Sequence, residues 1–183
     1  MKIKPIKKIW KIILIYIFFI YISLPYFPVF VSFLKNYISK DTLNISSLLF
    51  CVSFFLILSK WIYDKQYKFA QYILIISPLL LLTYMSFSLD VWAERVHLIQ
   101  YGLLGLLVSW ANKISSLNML LASGLFIMSV GLVDEIIQWY LPNRYGDIRD
   151  VVMNSLGGLS GLWLGQFLYW ENNYLKNIFV KNK

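Results

Sequence analysis

Charge is scarce in this chain. Only 14% of its 183 residues are charged, where a water-soluble domain of this length carries about 25%. With 59% hydrophobic residues and a mean hydropathy of +0.64, that deficit excludes an ordinary soluble domain. Cys51 is the single cysteine. It excludes an intramolecular disulfide and, centred in an apolar run, reads as a buried, inert thiol. A single histidine excludes the His-x-x-x-His pairing of many metal sites. No serine stands in a nucleophile-elbow pattern, and no internal repeat or low-complexity tract is evident. The apolar run near the N-terminus continues into Ile22-Ser23-Leu24-Pro25, which lacks the small-residue cleavage site of a signal peptide, so a retained anchor is expected.

What the chain does have is apolar blocks of membrane length, where about 20 residues cross the hydrocarbon core. The reading is all-α: a polytopic transmembrane helical bundle of about six spans, with five as the alternative, forming a single domain over residues 1–183. The runs are Ile9 to Leu24, Leu43 to Tyr63, Phe69 to Leu89 (with a kink at Pro78), Val91 to Trp110, Leu117 to Tyr140, and Asp150 to Trp170. Phe27 to Tyr37, behind Pro25 and Pro28, is too short to span and is expected to re-enter or lie at the interface. Tryptophans and tyrosines near the run ends, such as Trp61, Tyr63 and Trp139, read as interfacial belts.

Lysine placement sets the expected orientation. Lys2, Lys4, Lys7, Lys8 and Lys11 precede the first run, Lys60, Lys65 and Lys68 follow the second, Lys113 follows the fourth, and Lys176, Lys181 and Lys183 follow the last. With six spans these groups share one side. Both termini are therefore expected in the cytoplasm of a multi-pass protein of a bacterial cytoplasmic (inner) membrane. The formal charge of +8 is then positive-inside lysine meeting membrane lipids. Spread over loop ends, those lysines form no basic face, which excludes a nucleic-acid partner.

The polar exceptions are gathered. Between Asp90 and Asn154 lie all three arginines, the histidine and six of the nine acidic residues. Ionisable groups in or beside membrane segments are costly without pairing or water, so they mark the place to look for function. Glu94, His97 and Tyr101 are spaced to share a helix face, as are Asp134 or Glu135 with Gln138. Asp147, Asp150 and Asn154 step by three and four, with acids in a first helical turn. Under the expected topology all of them meet in one layer near the extracytoplasmic face. Gly157, Gly161 and Gly165 form a small-residue ridge for close helix packing, with Gly102 and Gly105 as the corresponding small residues on the fourth run.

These residues carry a resemblance. The stretch VDEIIQWYLPNRYGDIRDVVMNSLGGLSG resembles the VanZ-like family's Asp-Glu-x-x-Gln unit, Pro-x-Arg turn, Asp-x-x-x-Asn and glycine-rich helix. It does so through Asp134, Glu135, Gln138, Arg144, Asp150, Asn154, Gly158 and Gly161. ERVHLIQYGLLG resembles the family's upstream segment through Glu94, His97 and Tyr101. The motif-bearing part is 91–170. The resemblance implies a bacterial envelope membrane protein, with teicoplanin (lipoglycopeptide) resistance as the family's associated phenotype.

The residues leave their roles open. His97 could hold the bundle by hydrogen bonding, move protons with Asp134 and Glu135, or ligate a metal with them. The last site would be oxygen-rich, closer to Mg²⁺ or Mn²⁺ than to structural zinc. No cofactor is predicted and no metal centre assigned, a divalent ion being the lesser reading. The carboxylates could pair with Arg95, Arg144 and Arg149 in a closed knot. Arg144 is the best-placed residue for an anionic headgroup, because a guanidinium binds phosphate or carboxylate in a two-point geometry. The expected site has His97, Asp134 and Glu135 as acid-base or ligand residues. Arg144, Gln138, Asp150, Asn154, Tyr101 and Glu94 are the expected substrate-binding residues. The partner would be a lipid-linked cell-wall precursor or a lipoglycopeptide, with the oligomeric state left open. A non-enzymatic scaffold is the alternative.

Overall fold

The computed structural model describes residues 4–63, 76–78, 80–85, 92–112, 116–142 and 144–181; the side chains of 4–7, 54–55, 58, 61–63, 92–94 and 169–181 are excepted. All regular structure among them is helical. The helices are α1 (Lys4–Ser23), α2 (Phe27–Tyr37), α3 (Lys40–Tyr63), α5 (Trp92–Asn112), α6 (Leu117–Tyr140) and α7 (Ile148–Lys181), with the short apolar α4 (Ile76–Met85) between α3 and α5.

Local chemistry sets the boundaries. Pro28 falls in the first turn of α2, where a missing N–H costs nothing, and α1 and α2 meet there at a bend of 63°. Eleven residues long and without a buried side chain, α2 is too short to span, as its run length requires. Ser116 caps α6, its Oγ accepting from the Met119 N–H at 3.3 Å. Asp147 does the same for α7, its Oδ1 accepting from the Arg149 N–H at 2.8 Å.

The six expected spans are not all recovered as such. By length and composition α6 is the one described helix long and apolar enough to cross a membrane, and there are two if the bent α1–α2 pair is a single broken span. In α5 and α7 the physical reason lies in polar residues inside the helix, Arg95 and His97 in α5 and Arg149, Asp150 and Asn154 in α7. Part of α3 lies outside the residues whose side chains are described. Most of the expected third span, 69–89, lies outside the described residues.

The molecule is apolar outside and polar within. Leu14, Phe18 and Phe19 of α1, Leu56 and Ile57 of α3, and Leu121 and Leu125 of α6 are exposed, while Arg95, His97, Asp134, Glu135, Gln138 and Asn154 are buried. Such an exterior is what a lipid solvent leaves free to form, since apolar side chains gain nothing by turning inward from hydrocarbon. An apolar core of Ile13, Tyr101, Leu104, Val108, Ile127, Val130 and Leu162 joins α1, α5, α6 and α7.

The tightest seam is α5 against α7. A Cβ on Gly161 would overlap the Gly102 carbonyl, one on Gly105 would overlap the Gly158 carbonyl, and one on Gly157 would lie 2.7 Å from the Leu98 oxygen. The two backbones touch, and a side chain at these positions would part them. This contact fixes α7 on α5 so that Asn154 comes in beside Gly131 and Tyr101.

Candidate functional site

The polar layer is drawn from α5, α6, the α6–α7 loop and α7. Tyr101, fully buried on α5, donates from its hydroxyl to Asp134 Oδ2 at 2.9 Å. His97, one turn earlier on the same face, places Nδ1 3.9 Å from the same oxygen. Next to Asp134 on α6, Glu135 accepts from three directions. Gln138 Nε2 donates to its Oε1 at 3.0 Å, Asn154 Nδ2 to Oε1 at 3.4 Å, and the Asp147 backbone N–H to Oε2 at 3.1 Å. Arg144 extends the chain outward, donating from Nη2 to Gln138 Oε1, with its guanidinium 5.7 Å from the centre of the Phe27 ring. At that spacing the cation sits over the ring face, a favourable contact.

Glycines make the layer fit. A Cβ on Gly131 would lie 2.9 Å from Asn154 Cβ, and one on Gly146 2.5 Å from the Glu135 carbonyl. Gly131 lets α7 bring Asn154 to α6, and Gly146 lets the loop descend onto Glu135. Sequence reasoning missed both. Gly131 stands three residues before Asp134 and so shares its face, a signal that was there to be read.

Of the predicted residues, His97, Tyr101, Asp134, Glu135, Gln138, Asn154 and Arg144 are brought together. Asp150 is half-buried in the first turn of α7, one turn before Asn154. The Glu94 side chain lies outside the described residues. The closed arginine knot needs correcting at Arg95. It points away from the layer toward α3, where Nη1 donates to the Asn44 carbonyl at 3.2 Å and to Ser47 Oγ at 2.9 Å. Arg95 and His97 are two positions apart on a helix and so face different neighbours. Arg144 reaches Glu135 through Gln138, so the buried carboxylates are solvated mainly by neutral donors.

A family model described as VanZ/LLP1 matches residues 9–169, which takes in every helix of the bundle and both polar segments. The chain belongs to the VanZ/LLP1 family. No curated protein and no solved structure matches it. The resemblance had rested on the C-terminal half, and the match extends the family relation through α1 to α4. The relation of α1 to the site is visible in two tyrosines. Tyr16 donates to the Gln100 carbonyl at 2.9 Å and Tyr21 to the Val130 carbonyl at 3.0 Å, tying α1 to α5 and α6 beside the layer.

Chemically, the layer is rich in acceptors. His97, Asp134 and Glu135 each offer a ligand atom within 4.8 Å of the others', and the Tyr101 hydroxyl lies against the same Asp134 oxygen that His97 Nδ1 approaches to 3.9 Å. Apart from it, a cavity of about 530 Å³ opens between α1, α3 and α5, lined by Tyr16, Leu43, Phe50, Arg95 and Gln100 among others. None of the described carboxylates of the motif lines it.

Proposed function

We propose that this VanZ/LLP1 protein is a multi-pass protein of the bacterial cytoplasmic membrane that binds an anionic, amphiphilic envelope ligand at the outer rim of its polar layer. Six spans carry both termini to the cytoplasm and the α6–α7 loop to the extracytoplasmic face. The exposed apolar side chains of α1, α3 and α6 support the membrane setting, and lysine placement supports the orientation. The observation that carries the ligand reading is Arg144. It is half-buried in the α6–α7 loop, held by Gln138 and the Phe27 ring, and its other N–H groups make no hydrogen bond to the described protein. A planar cation fixed in that way suits phosphate or carboxylate in two-point geometry. Lipid-linked cell-wall precursors and phospholipids carry such groups at the depth of the membrane surface. His97 with Asp134 and Glu135 would act on or orient the bound group by proton transfer through water. Reduced susceptibility to teicoplanin is the cellular outcome this reading gives.

The scaffold reading has its own support. Glu135 accepts from α6, α7 and the loop at once, which is what a purely structural clamp would do. Arg144 separates the two readings. Arg144→Lys keeps the charge and loses the fork, so purified protein should fold normally yet retain at least tenfold less anionic lipid by native mass spectrometry, and expressing cells should lose their teicoplanin protection. Unchanged lipid retention and protection would favour the scaffold. Orientation is read separately: Tyr145→Cys, at a position 89% exposed, should react with impermeant thiol reagents from outside the cell.

A further inference from the structure

His97, Asp134 and Asn154 share an oddity. His97 Nδ1, Asp134 Oδ1 and Asn154 Oδ1 are buried and make no hydrogen bond, although buried polar groups in proteins are overwhelmingly paired. Asp134 and Asn154 are wholly inaccessible at 0% exposure. Each unpaired oxygen is a lone pair, and the layer already spends its donors elsewhere. The Tyr101 hydroxyl serves Asp134 Oδ2, and the Gln138 and Asn154 amides and the Asp147 N–H serve Glu135. A cation placed among these atoms would pair with the oxygens that these donors leave.

The spacing fits one kind of occupant. His97 Nδ1 and Asp134 Oδ2 stand 3.9 Å apart, too far for a hydrogen bond. Two donors sharing one ion through bonds of about 2.1 Å stand roughly 3.0–4.2 Å apart. The ligand atoms of His97, Asp134 and Glu135 lie within 4.8 Å of one another, so an inward shift of roughly 0.5 Å brings all three into that range. The outer hydrogen bonds to both carboxylates are the kind that orient metal ligands.

We infer that His97, Asp134 and Glu135 form a binding site for a divalent first-row cation, with Asn154 as the neighbouring oxygen donor. One imidazole with carboxylate and amide oxygens favours Mn²⁺ or a catalytic-type Zn²⁺ site over a closed thiolate centre. Arg144 is not among the ligands, so the metal reading does not rest on the anion reading.

Because His97 is the only histidine, its imidazole nitrogens can be observed without any variant. Full-length chain carrying no histidine tag, labelled with ¹⁵N-histidine and stripped with chelator, would be titrated with Zn²⁺ and with Mn²⁺. The inference expects a saturable shift of the Nδ1 signal by Zn²⁺, broadening by Mn²⁺, and a single ion per chain by elemental analysis. Tyr101→Phe should weaken binding about 10- to 100-fold, as loss of an outer hydrogen bond does, and Asp134→Asn by more. Unchanged imidazole signals in the presence of millimolar Zn²⁺ and Mn²⁺ would overturn the inference, and so would metal binding that leaves His97 unaffected. If Asp134→Asn fails to fold, the wild-type imidazole signals still decide.

Discussion

The α5–α7 seam and the polar layer lie against each other, made largely by the same two helices, yet they are built on opposite terms. In the seam the backbones themselves meet: Gly102, Gly105, Gly157 and Gly161 bring carbonyls and backbone together with no side chain between them. Ser109 Oγ, packed against Gly165, is the buried polar atom left without a hydrogen bond there. Such packing is what holds helices together where water gives no apolar driving force. In the layer, a few ångströms of chain away, buried lone pairs of His97, Asp134 and Asn154 are left without donors. An unsatisfied buried polar group costs about 1–3 kcal/mol, so three of them in one layer weigh on its stability. The seam reads as the frame and the layer as the reason for the frame.

Breaking the seam should have the largest effect. Gly161→Leu drives a branched side chain into the Gly102 carbonyl, and since both walls are backbone, neither can yield. A loss of about 3 kcal/mol or more is expected, seen as collapse of folded yield and of the melting transition in detergent, with no rescue by any ligand. A melting temperature close to the wild type's would mean that the helices do not touch there.

Removing one hydroxyl from the layer is the intermediate case. Tyr101→Phe deletes the bond to Asp134, which should cost about 1.5–3 kcal/mol, the range for hydrogen bonds to charged groups, while leaving the helix content by circular dichroism unchanged. The comparison sharpens if this variant loses function far beyond what its stability loss explains, and blurs if the two fall together.

The smallest effect belongs to Ser155. It is buried beside Asn154, but its hydroxyl donates to the Val151 carbonyl of its own helix at 2.7 Å, a bond that adds little to helix stability. Ser155→Ala should change stability by less than about 0.5 kcal/mol and leave lipid retention and teicoplanin protection intact. Loss of either at normal stability would bring Ser155 into the working layer.

Much of this architecture was legible along the chain. Helices α5 and α6 fall on their apolar runs to within two residues, the Pro25–Pro28 break predicted the separate α2, and the 3–4 spacing of His97 with Tyr101 and of Glu135 with Gln138 put each pair on one face. The glycine ridge announced the seam. Arg95 was misjudged by its charge: two positions from His97 it faces the other side of α5, and which helix it meets there, α3, only the tertiary structure shows. Gly146 was equally silent: its role exists only because the loop folds back over Glu135. The number of spans is not fixed by the apolar runs alone, since runs carrying Arg95 or Asn154 meet the length for a span but are interrupted by buried polar residues.

By itself, the sequence determined the helical class, the family, and which polar residues belong together, because hydrophobic run length and helical periodicity are local properties of a chain. Only the tertiary structure decided what those residues do to one another. It separated Arg95 from the layer, tied Arg144 to it through Gln138, and left His97 Nδ1, Asp134 Oδ1 and Asn154 Oδ1 buried without a hydrogen bond. Hydrogen bonds and their absence depend on ångström distances between segments tens of residues apart, and those distances are set by how closely α5 and α7 can approach.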